Sequence, residues 1–291
     1  MSTWLVTGAN GQLGTHALPL LAAAGIDVVA TTRAELDLGD PEQVEAMIAE
    51  HRPDVVLNAA AYTAVDAAED DEAGADRINR AGPAAVAEAL ARHGGRLLHV
   101  STDYVFAGDA SEPYEVDAPV GPTGAYGRTK LAGEQAVARA LPDRHHVVRT
   151  AWVYGGPTAN FVDTMTRLER ERETLTVVND QIGSPTWVAD LAGALVELGR
   201  GDVPAGTLHY VNAGQASWFE LARAVFRLIG ADPERVQPVD SAAFPRPAKR
   251  PGWSVLSTRA WVAAGLTAPR PWQDALAEAL AGRRAATAGG R

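Results

Sequence analysis

Tyr126 and Lys130, four positions apart, are the clearest candidates for acid–base chemistry in this 291-residue sequence. Residues at this spacing lie on the same face of a helix. A phenol with a reference pKa of about 10 is a weak acid at neutral pH, and a neighbouring ammonium lowers that pKa by favouring the phenolate. Lys130 is one of only two lysines, and nearly all of the 26 basic residues are arginines. This scarcity favours a specific chemical role for Lys130 over a solvated surface position.

A third candidate group lies at the end of a predicted strand. Thr102 and Asp103 follow the predicted strand 97–101, and functional residues of open α/β sheets gather at the carboxyl ends of strands. We expect Thr102 to donate its hydroxyl hydrogen to a substrate carbonyl while Tyr126 supplies a proton. Asp103 either orients Thr102, joins a proton relay or forms a turn. Strand alternation turns Ser101, the local alternative, away from the cleft if Thr102 faces it.

A glycine-rich segment between the first predicted strand and the first predicted helix indicates dinucleotide binding. Its glycines allow a tight turn and let the backbone approach a pyrophosphate at the helix N-terminus. The alternative is a simple tight turn, but the βαβ context favours a cofactor site. The residues expected to contact the cofactor here are Gly8, Asn10, Gly11, Gln12, Leu13 and Gly14.

The end of the second predicted strand sets the expected cofactor preference. A carboxylate at this point would bind the ribose of NAD, whereas the sequence has Arg33. An arginine suits a 2′-phosphate, so we expect NADPH to be preferred, with NADH as the alternative cofactor. The competing interpretation of Arg33 is a solvated loop residue. Asp37 and Leu38 follow, and we expect them to lie near the adenine.

The elements that must position these residues alternate in type over the first 150 residues. This alternation predicts βαβ units and a doubly wound parallel sheet of the Rossmann type, in the α/β class. We expect residues 1–150 to form the dinucleotide-binding domain, with later returns of the chain to it left open. Residues 151–281 are expected to form mainly a smaller C-terminal substrate-binding lobe, and 282–291 a disordered tail. The predicted strands are Thr3–Thr7, Asp27–Thr32, Val55–Asn58, Leu97–Ser101 and Val147–Thr150, and the predicted helices are Gln12–Ala24, Pro41–His51, Asp76–Arg92 and Tyr126–Leu141.

Composition excludes several classes of protein. A hydrophobic content of 46% with 21% charged residues is typical of a globular chain. The sequence has no cysteine, which excludes disulfides and thiolate nucleophiles. A net charge of −10 argues against nucleic-acid binding, and no apolar run approaches the roughly 20 residues of a membrane span. With no secretory signal pattern at the N-terminus, we expect a cytoplasmic protein that binds neither nucleic acid nor membrane.

Taken in order, these motifs make the sequence resemble the extended short-chain dehydrogenase/reductases. Within them it is similar to the dTDP-4-dehydrorhamnose reductases over about residues 3–280. The segments Asn58–Asp66 (NAAAYTAVD) and Asp180–Thr186 (DQIGSPT) are the most distinctive matches, and Arg149–Gly155 (RTAWVYG) also fits.

The resemblance implies reduction of the C4 ketone of a dTDP-4-keto-6-deoxyhexose, in the leading case yielding dTDP-L-rhamnose. It implies that Tyr126 is the acid, that Thr102 polarises the ketone and that Lys130 holds the cofactor ribose. An ordinary core position is the alternative for Trp152, and Arg246 and Lys249 compete with Arg250 for the diphosphate. Further cofactor contacts are implied for Ala59, Ala60 and Ala61, and substrate contacts for Val65, Thr102, Trp152, Asn160 and Arg250.

Two departures from the family pattern matter. Trp253 stands where asparagine is usual, which leaves the exact sugar open. Some members bind Mg²⁺ through glutamates, but the early glutamate is His16 here, so no metal site is predicted.

The alternatives to this function are a 4-ketoreductase for another dTDP-deoxysugar, a nucleotide-sugar epimerase and a non-catalytic nucleotide-binding subunit resembling the regulatory subunit of methionine adenosyltransferase. Whether the chain forms a homodimer is also left open.

Overall fold

The computed structural model describes the backbone of residues 2–288 and the side chains of residues 2–282. The strands are β1 (Thr3–Thr7), β2 (Asp27–Thr31), β3 (Val55–Asn58), β4 (Arg96–Thr102), β5 (His145–Thr150), β6 (Val153–Tyr154), β7 (Leu175–Val178), β8 (Ile182–Gly183), β9 (Thr186–Trp187), β10 (Gly206–His209), β11 (Ala216–Ser217) and β12 (Val236–Val239). The helices are α1 (Gln12–Ala23), α2 (Pro41–His51), α3 (Ala67–Asp70), α4 (Glu72–Asp76), α5 (Gly82–His93), α6 (Ala125–Ala140), α7 (Phe161–Glu171), α8 (Val188–Arg200), α9 (Trp218–Ile229), α10 (Arg259–Ala263) and α11 (Trp272–Ala288).

Six strands form one parallel sheet in the order β10-β5-β4-β3-β1-β2. After β2 the chain crosses back to place β3 on the other side of β1, so the topological switch point lies between β1 and β3. Ligands of open α/β sheets bind at such a point, outside the carboxyl ends of the strands. The predicted doubly wound α/β sheet is confirmed.

Strand alternation divides the core of this sheet into two layers. Trp4 and Val6 of β1 belong to an apolar cluster shared with α1 and α8, while Leu5 belongs to a second cluster shared with α2 and α5. All three side chains are buried. Successive residues of a strand point to opposite faces, so helices are needed on both sides.

The chain returns to the sheet after residue 150. Strand β10 pairs with β5, and α8 packs on the same face as α1. A separate apolar core joins α7, α9 and α11 to β7 and β12, with Val162, Phe226 and Leu276 among its buried members. Helix α9 begins at a capping box, in which Ser217 and Glu220 bond each other's backbone N–H groups.

Two local differences from the sequence prediction have physical causes. The helix predicted over 76–92 is interrupted by a π-helical turn, Arg77–Ala81, and α5 begins at Gly82. Pro83 lacks a backbone N–H and is therefore placed in the first turn of α5. The tail predicted over 282–291 overlaps α11, which extends to Ala288, and residues 289–291 lie outside the described residues.

None of the helices in the described part of the chain is long and apolar enough to cross a membrane.

Candidate active site

A cleft of about 660 Å³ opens at the switch point of the sheet. It brings together residues from the phosphate loop, the ends of β2, β3 and β4, the start of α6 and the segment after β5. Gly14, Asn160 and Arg250 do not line it. The predicted site residues that do are Gly8, Asn10, Gly11, Gln12, Leu13, Arg33, Asp37, Leu38, Ala59, Ala60, Ala61, Val65, Thr102, Asp103, Tyr126, Lys130 and Trp152.

The phosphate loop has the backbone geometry that a pyrophosphate requires. Gly8 has a φ of +68°, and a Cβ there would meet the backbone nitrogen of Ala60 at 3.0 Å. A Cβ on Gly14 would lie 2.5 Å from the carbonyl oxygen of Gly8, so Gly14 acts through packing although it does not line the cleft. Helix α1 starts at Gly11 without a side-chain cap and without an acidic residue in its first turn. Its free N–H groups suit an anion.

The far end of the cleft suits the phosphorylated ribose of NADPH. Arg33 is exposed, lines the cleft and has no ion-pair or hydrogen-bond partner within the described residues. Asp37 is already engaged, because its carboxylate accepts from the Gly39 N–H at 2.9 Å and lies 3.4 Å from Arg77. The unpaired guanidinium therefore fits a 2′-phosphate, as the sequence predicts.

Thr102 and Asp103 form a hydrogen-bonded pair at the end of β4. Thr102 Oγ1 donates to Asp103 Oδ1 at 2.9 Å and accepts from the backbone N–H of Tyr104 at 3.2 Å. This geometry favours the orienting role among those considered for Asp103. Burial raises the pKa of Asp103 to about 6, while hydrogen bonds from Ser254 and Thr102 oppose the rise. Ser254 belongs to the C-terminal half, so both halves of the chain meet at this carboxyl group.

Tyr126 differs from its sequence prediction in its titration. Burial raises the pKa of Tyr126 to about 12, a hydrogen bond with Thr102 lowers it, and the charge of Asp103 raises it further. The expected lowering by Lys130 is wrong. The Lys130 ammonium is directed to the carbonyl oxygen of Val100, to which Nζ donates at 2.7 Å. Burial is then the dominant effect on the phenol.

Lys130 is almost fully enclosed, with 2% of its surface exposed. Burial lowers the pKa of Lys130 to about 8, and the charge of Glu134 on the same helix opposes the shift. Glu134 itself is held by the guanidinium of Arg149, with Nη2 at 2.7 Å from its carboxylate. Lys130 and Asp103 are thus the two catalytic candidates whose charge states change within about one unit of neutral pH.

The start of α6 is fixed by groups from α3 and α4. Its N-cap residue, Gly124, has no side chain to cap the helix, and the Glu69 carboxylate accepts from the N–H of Ala125 at 2.8 Å instead. One turn later, Arg128 makes a two-pronged ion pair with Glu72 at 2.7 and 2.9 Å. These contacts position the turn that carries Tyr126.

On the substrate side of the cleft, Trp152 stacks on Trp218 with ring centroids 3.5 Å apart and planes 5° from parallel. Trp152 has a φ of +47°, a strained conformation for a bulky residue. Gly183 packs directly beneath the indole, where no Cβ would fit. Trp152 therefore packs against aromatic neighbours and also lines the cleft, and its contact with the sugar stays a prediction.

Two predicted substrate residues lie outside the cleft with their side chains engaged. Asn160 is the N-cap of α7, where its side chain accepts from the N–H of Asp163 at 3.1 Å. Arg250 forms a two-pronged ion pair with Asp66 at 2.6 and 2.9 Å. Trp253, the departure from the family pattern, donates its indole N–H to the carbonyl of Glu112 at 2.9 Å.

Sequence reasoning missed several polar groups in this cleft. Ser101 and Thr150 line it with buried hydroxyl groups that have no partner within the described residues. Ser101 thus lines the cleft together with Thr102, although strand alternation predicts that it is turned away. The position of Thr150 at the end of β5 could have identified it. Nothing in the sequence marks His99, which lies 3.4 Å from Lys130 Nζ.

No group of three or more histidine, aspartate or glutamate side chains in the described residues could hold a metal ion. His16 Nδ1 lies 3.0 Å from the carbonyl oxygen of Gln12.

A Rossmann sheet with Tyr126 and Lys130 one helical turn apart, beside Thr102, places the protein among the extended short-chain dehydrogenase/reductases. Residues 2–284 match the family described as "RmlD substrate binding domain", and the chain belongs to this family.

Similar proteins with named activities cover nearly the whole chain. The dTDP-4-dehydrorhamnose reductase of Streptomyces griseus is 50% identical over 287 residues, which span 96% of this chain and 94% of that protein. A Streptomyces antibioticus protein named as a probable dTDP-4,6-dihydroxy-2-methyloxan-3-one 4-ketoreductase is 50% identical, with coverages of 95% and 94%. The crystal structure of dTDP-4-dehydrorhamnose reductase from Bacillus anthracis in complex with NADP has a TM-score of 0.92, 38% identity and coverages of 96% and 99%.

Proposed function

We propose that this protein uses NADPH to reduce the C4 ketone of a dTDP-4-keto-6-deoxyhexose, converting dTDP-4-dehydro-L-rhamnose to dTDP-L-rhamnose. One observation carries the proposal. A single cleft joins the phosphate loop and Arg33 at one end to Thr102, Tyr126 and Lys130 at the other. Its relatives, with this function in their names, match over nearly their full length.

NADPH, when bound, supplies the hydride. The phosphate loop and the N-terminus of α1 would hold its pyrophosphate, and Arg33 its 2′-phosphate. The residues present fit this group, because the glycine positions leave the space that side chains would fill and the helix N-terminus is uncapped.

Proton transfer falls to the chain's own side chains. Tyr126 is a neutral phenol at pH 7, since its pKa is raised to about 12 by burial. It therefore enters the reaction with the proton that the substrate oxygen must receive. The Thr102 hydroxyl turns its hydrogen from Asp103 to the substrate oxygen. The Tyr104 N–H continues to donate to Thr102 Oγ1. Two donors then stabilise the charge that develops on the ketone oxygen.

A second candidate function is the 4-ketoreduction of another dTDP-deoxysugar. The Streptomyces antibioticus relative, equally similar, is named for a different sugar. Trp253 also places an indole where the family has asparagine, bonded to Glu112 near the C-terminal substrate segment. This candidate keeps the same cofactor and the same three catalytic residues.

The test follows NADPH and NADH consumption with dTDP-4-dehydro-L-rhamnose generated in place, and identifies the sugar product. Turnover to dTDP-L-rhamnose supports the first function. Binding of NADPH without turnover contradicts it and favours the second, which competition with other 4-keto sugars then examines.

We also infer a cytoplasmic location, because neither charged reactant crosses a membrane unaided.

A further inference from the structure

A buried chain of hydrogen bonds connects the cofactor loop to the catalytic lysine. The N–H of Ala60 donates to Thr7 Oγ1 at 3.3 Å, and Thr7 donates to Asn58 Oδ1 at 2.7 Å. The Asn58 amide nitrogen lies 3.1 Å from His99 Nδ1, and His99 Nε2 lies 3.4 Å from Lys130 Nζ. The four side chains from Thr7 to Lys130 are at most 2% exposed.

Each hydrogen bond in this buried series from Ala60 to His99 has one donor and one acceptor that the neighbouring bonds determine. Because Thr7 Oγ1 accepts from Ala60, its own hydrogen needs an acceptor, and the only one at hand among the described residues is Asn58 Oδ1. The Asn58 amide must then present its N–H₂ group to His99. An imidazole nitrogen that accepts a hydrogen bond carries no proton. Burial holds the pKa of His99 well below its ordinary value, so the ring is neutral with its single proton on Nε2.

The Nε2–H group of His99 therefore points at Lys130. An ammonium has no lone pair with which to accept this hydrogen, whereas a neutral amine has one. Nζ also donates to the carbonyl of Val100 at 2.7 Å, which fixes its position. His99 thus stabilises the amine form of Lys130 over the ammonium form.

We propose that His99 is a positioning residue that prepares Lys130 to give up a proton during turnover. After Tyr126 has protonated the substrate oxygen, the Lys130 ammonium returns a proton toward the phenolate. An N–H bond breaks, the Tyr126 O–H bond is restored, and the amine left behind accepts the Nε2 hydrogen of His99. This inference rests on the proposed reductase function.

The other groups near Lys130 do not remove the effect. Glu134 on the same helix favours the ammonium, but its carboxylate is already paired with Arg149 of β5. Asp103, at the end of β4, and Tyr126, on α6, also line the cleft. Its other titratable lining residues are Arg33, Asp37, Tyr62 and Tyr104. Burial lowers the pKa of Lys130 in the same direction as His99 does.

The first experiment uses the wild-type protein without ligands, so its outcome does not depend on the substrate. Long-range ¹H–¹⁵N correlation of the seven histidines reports which ring nitrogen carries each proton, with His99 assigned by loss of its signal in His99→Phe. We expect His99 to be protonated on Nε2 alone. A proton on Nδ1 overturns the proposal, even if the enzyme proves to be a reductase.

The second experiment exploits the scarcity of lysine. Labelling the lysine ε-carbons gives two signals, from buried Lys130 and from exposed Lys249, which serves as the internal control. Asn58→Asp offers an acceptor to His99 Nδ1 and so moves the ring proton away from Nε2. We expect the Lys130 titration midpoint and the alkaline limb of kcat to rise together by about one pH unit or more.

The double variant Asn58→Asp/His99→Phe separates this route from the direct effect of the new carboxylate. If the shift passes through His99, most of it is lost in the double variant. A midpoint raised equally with and without His99 overturns the proposal, as does an unchanged midpoint in a folded Asn58→Asp protein.

Discussion

At the residue scale, Tyr126 and Asp103 show how burial prepares acid–base groups for one direction of reaction. A reductase needs a proton on its acid at the start of turnover, and a raised pKa provides that for the Tyr126 phenol. Asp103 is also buried, and its carboxylate is bonded to Thr102 and Ser254.

Replacing Tyr126 with phenylalanine removes only the proton donor. We expect kcat to fall by about 100-fold or more, because a general acid contributes about that much, while the Kd for NADPH stays close to wild type. Tyr104→Phe is the matched control, since it removes a phenol whose ring lies 5.5 Å from that of Tyr126. Retention of more than about a tenth of kcat by Tyr126→Phe, or ~1.4 kcal/mol of barrier, would exclude Tyr126 as the acid.

Asp103→Asn tests the raised pKa through stability. Above pH 6 the folded wild-type protein holds a buried carboxylate. As pH rises, the unfolded state loses the Asp103 proton first, because the pKa of Asp103 is higher in the folded state. Stability conferred by this proton is therefore lost as pH rises from about 4 to about 6, by up to about 3 kcal/mol. Relative to wild type, Asp103→Asn should gain stability over that interval in urea titrations. A pH-independent difference would show that the pKa of Asp103 is ordinary.

Arg33→Ala tests the cofactor preference. The unpaired guanidinium is expected to contact the 2′-phosphate, so the Kd for NADPH should rise by about 10- to 100-fold. NADH lacks that phosphate and serves as the matched control, with a much smaller change expected. Equal losses for the two cofactors in fluorescence titrations would mean that Arg33 does not recognise the 2′-phosphate.

At the scale of elements, α6 depends on contacts from outside itself. Its first turn carries the acid, yet its N-cap is a glycine and the capping group comes from Glu69 on α3. The π-helical turn before α5 adds a second attachment. There the Asn79 amide bonds the backbone of Tyr62 and the hydroxyl of Thr129 on α6.

Glu69→Ala should therefore affect both stability and catalysis. Loss of a helix cap destabilises by about 1 kcal/mol, and fraying of this turn displaces Tyr126. We expect a lower free energy of unfolding in urea and a lower kcat with a smaller change in KM. Asp70→Ala removes an exposed carboxylate from the same helix and is the control. If the two variants behave alike, Glu69 does not position α6.

At the scale of the whole molecule, polar contacts from the C-terminal half reach residues at the cleft of the Rossmann half, in addition to the apolar packing between the halves. The ion pair of Arg250 with Asp66 joins the proline-rich segment 244–251 to the loop after β3, and Ser254 reaches Asp103. Beside Arg250, both Arg246 and Lys249 are exposed. Arg250 is bound to the carboxylate of Asp66, and a substrate diphosphate would compete with that carboxylate for the guanidinium.

Arg250→Ala separates these three basic residues. If Arg250 exchanges Asp66 for the substrate diphosphate, KM for the nucleotide sugar should rise about 10-fold or more, with the Kd for NADPH unchanged. Arg246→Ala and Lys249→Ala in the same segment are the matched controls, with small effects expected. A larger KM change in either control would reassign the diphosphate contact to that residue.

Local sequence was sufficient for five of the six strands of the central sheet and for much of the site, whereas the edge strand β10 was not predicted. Strands such as β1 and β3 are continuous apolar runs, and the glycine spacing of the phosphate loop reflects a backbone requirement that no other residue meets. The spacing of Tyr126 and Lys130 translates directly into one helical face. These are short-range relations, so the chain order alone determines them.

Only the tertiary structure decided the electrostatics and the long-range partners. The direction of the Tyr126 pKa depends on burial and on Lys130 bonding Val100, neither of which is visible in a four-residue spacing. Arg250 pairs with Asp66 across 184 positions. In the sequence His99 is an ordinary strand residue, and only the fold shows that its Nε2 atom lies 3.4 Å from Nζ of Lys130. Burial and distance are properties of the packed molecule, because both depend on segments that are remote in the chain.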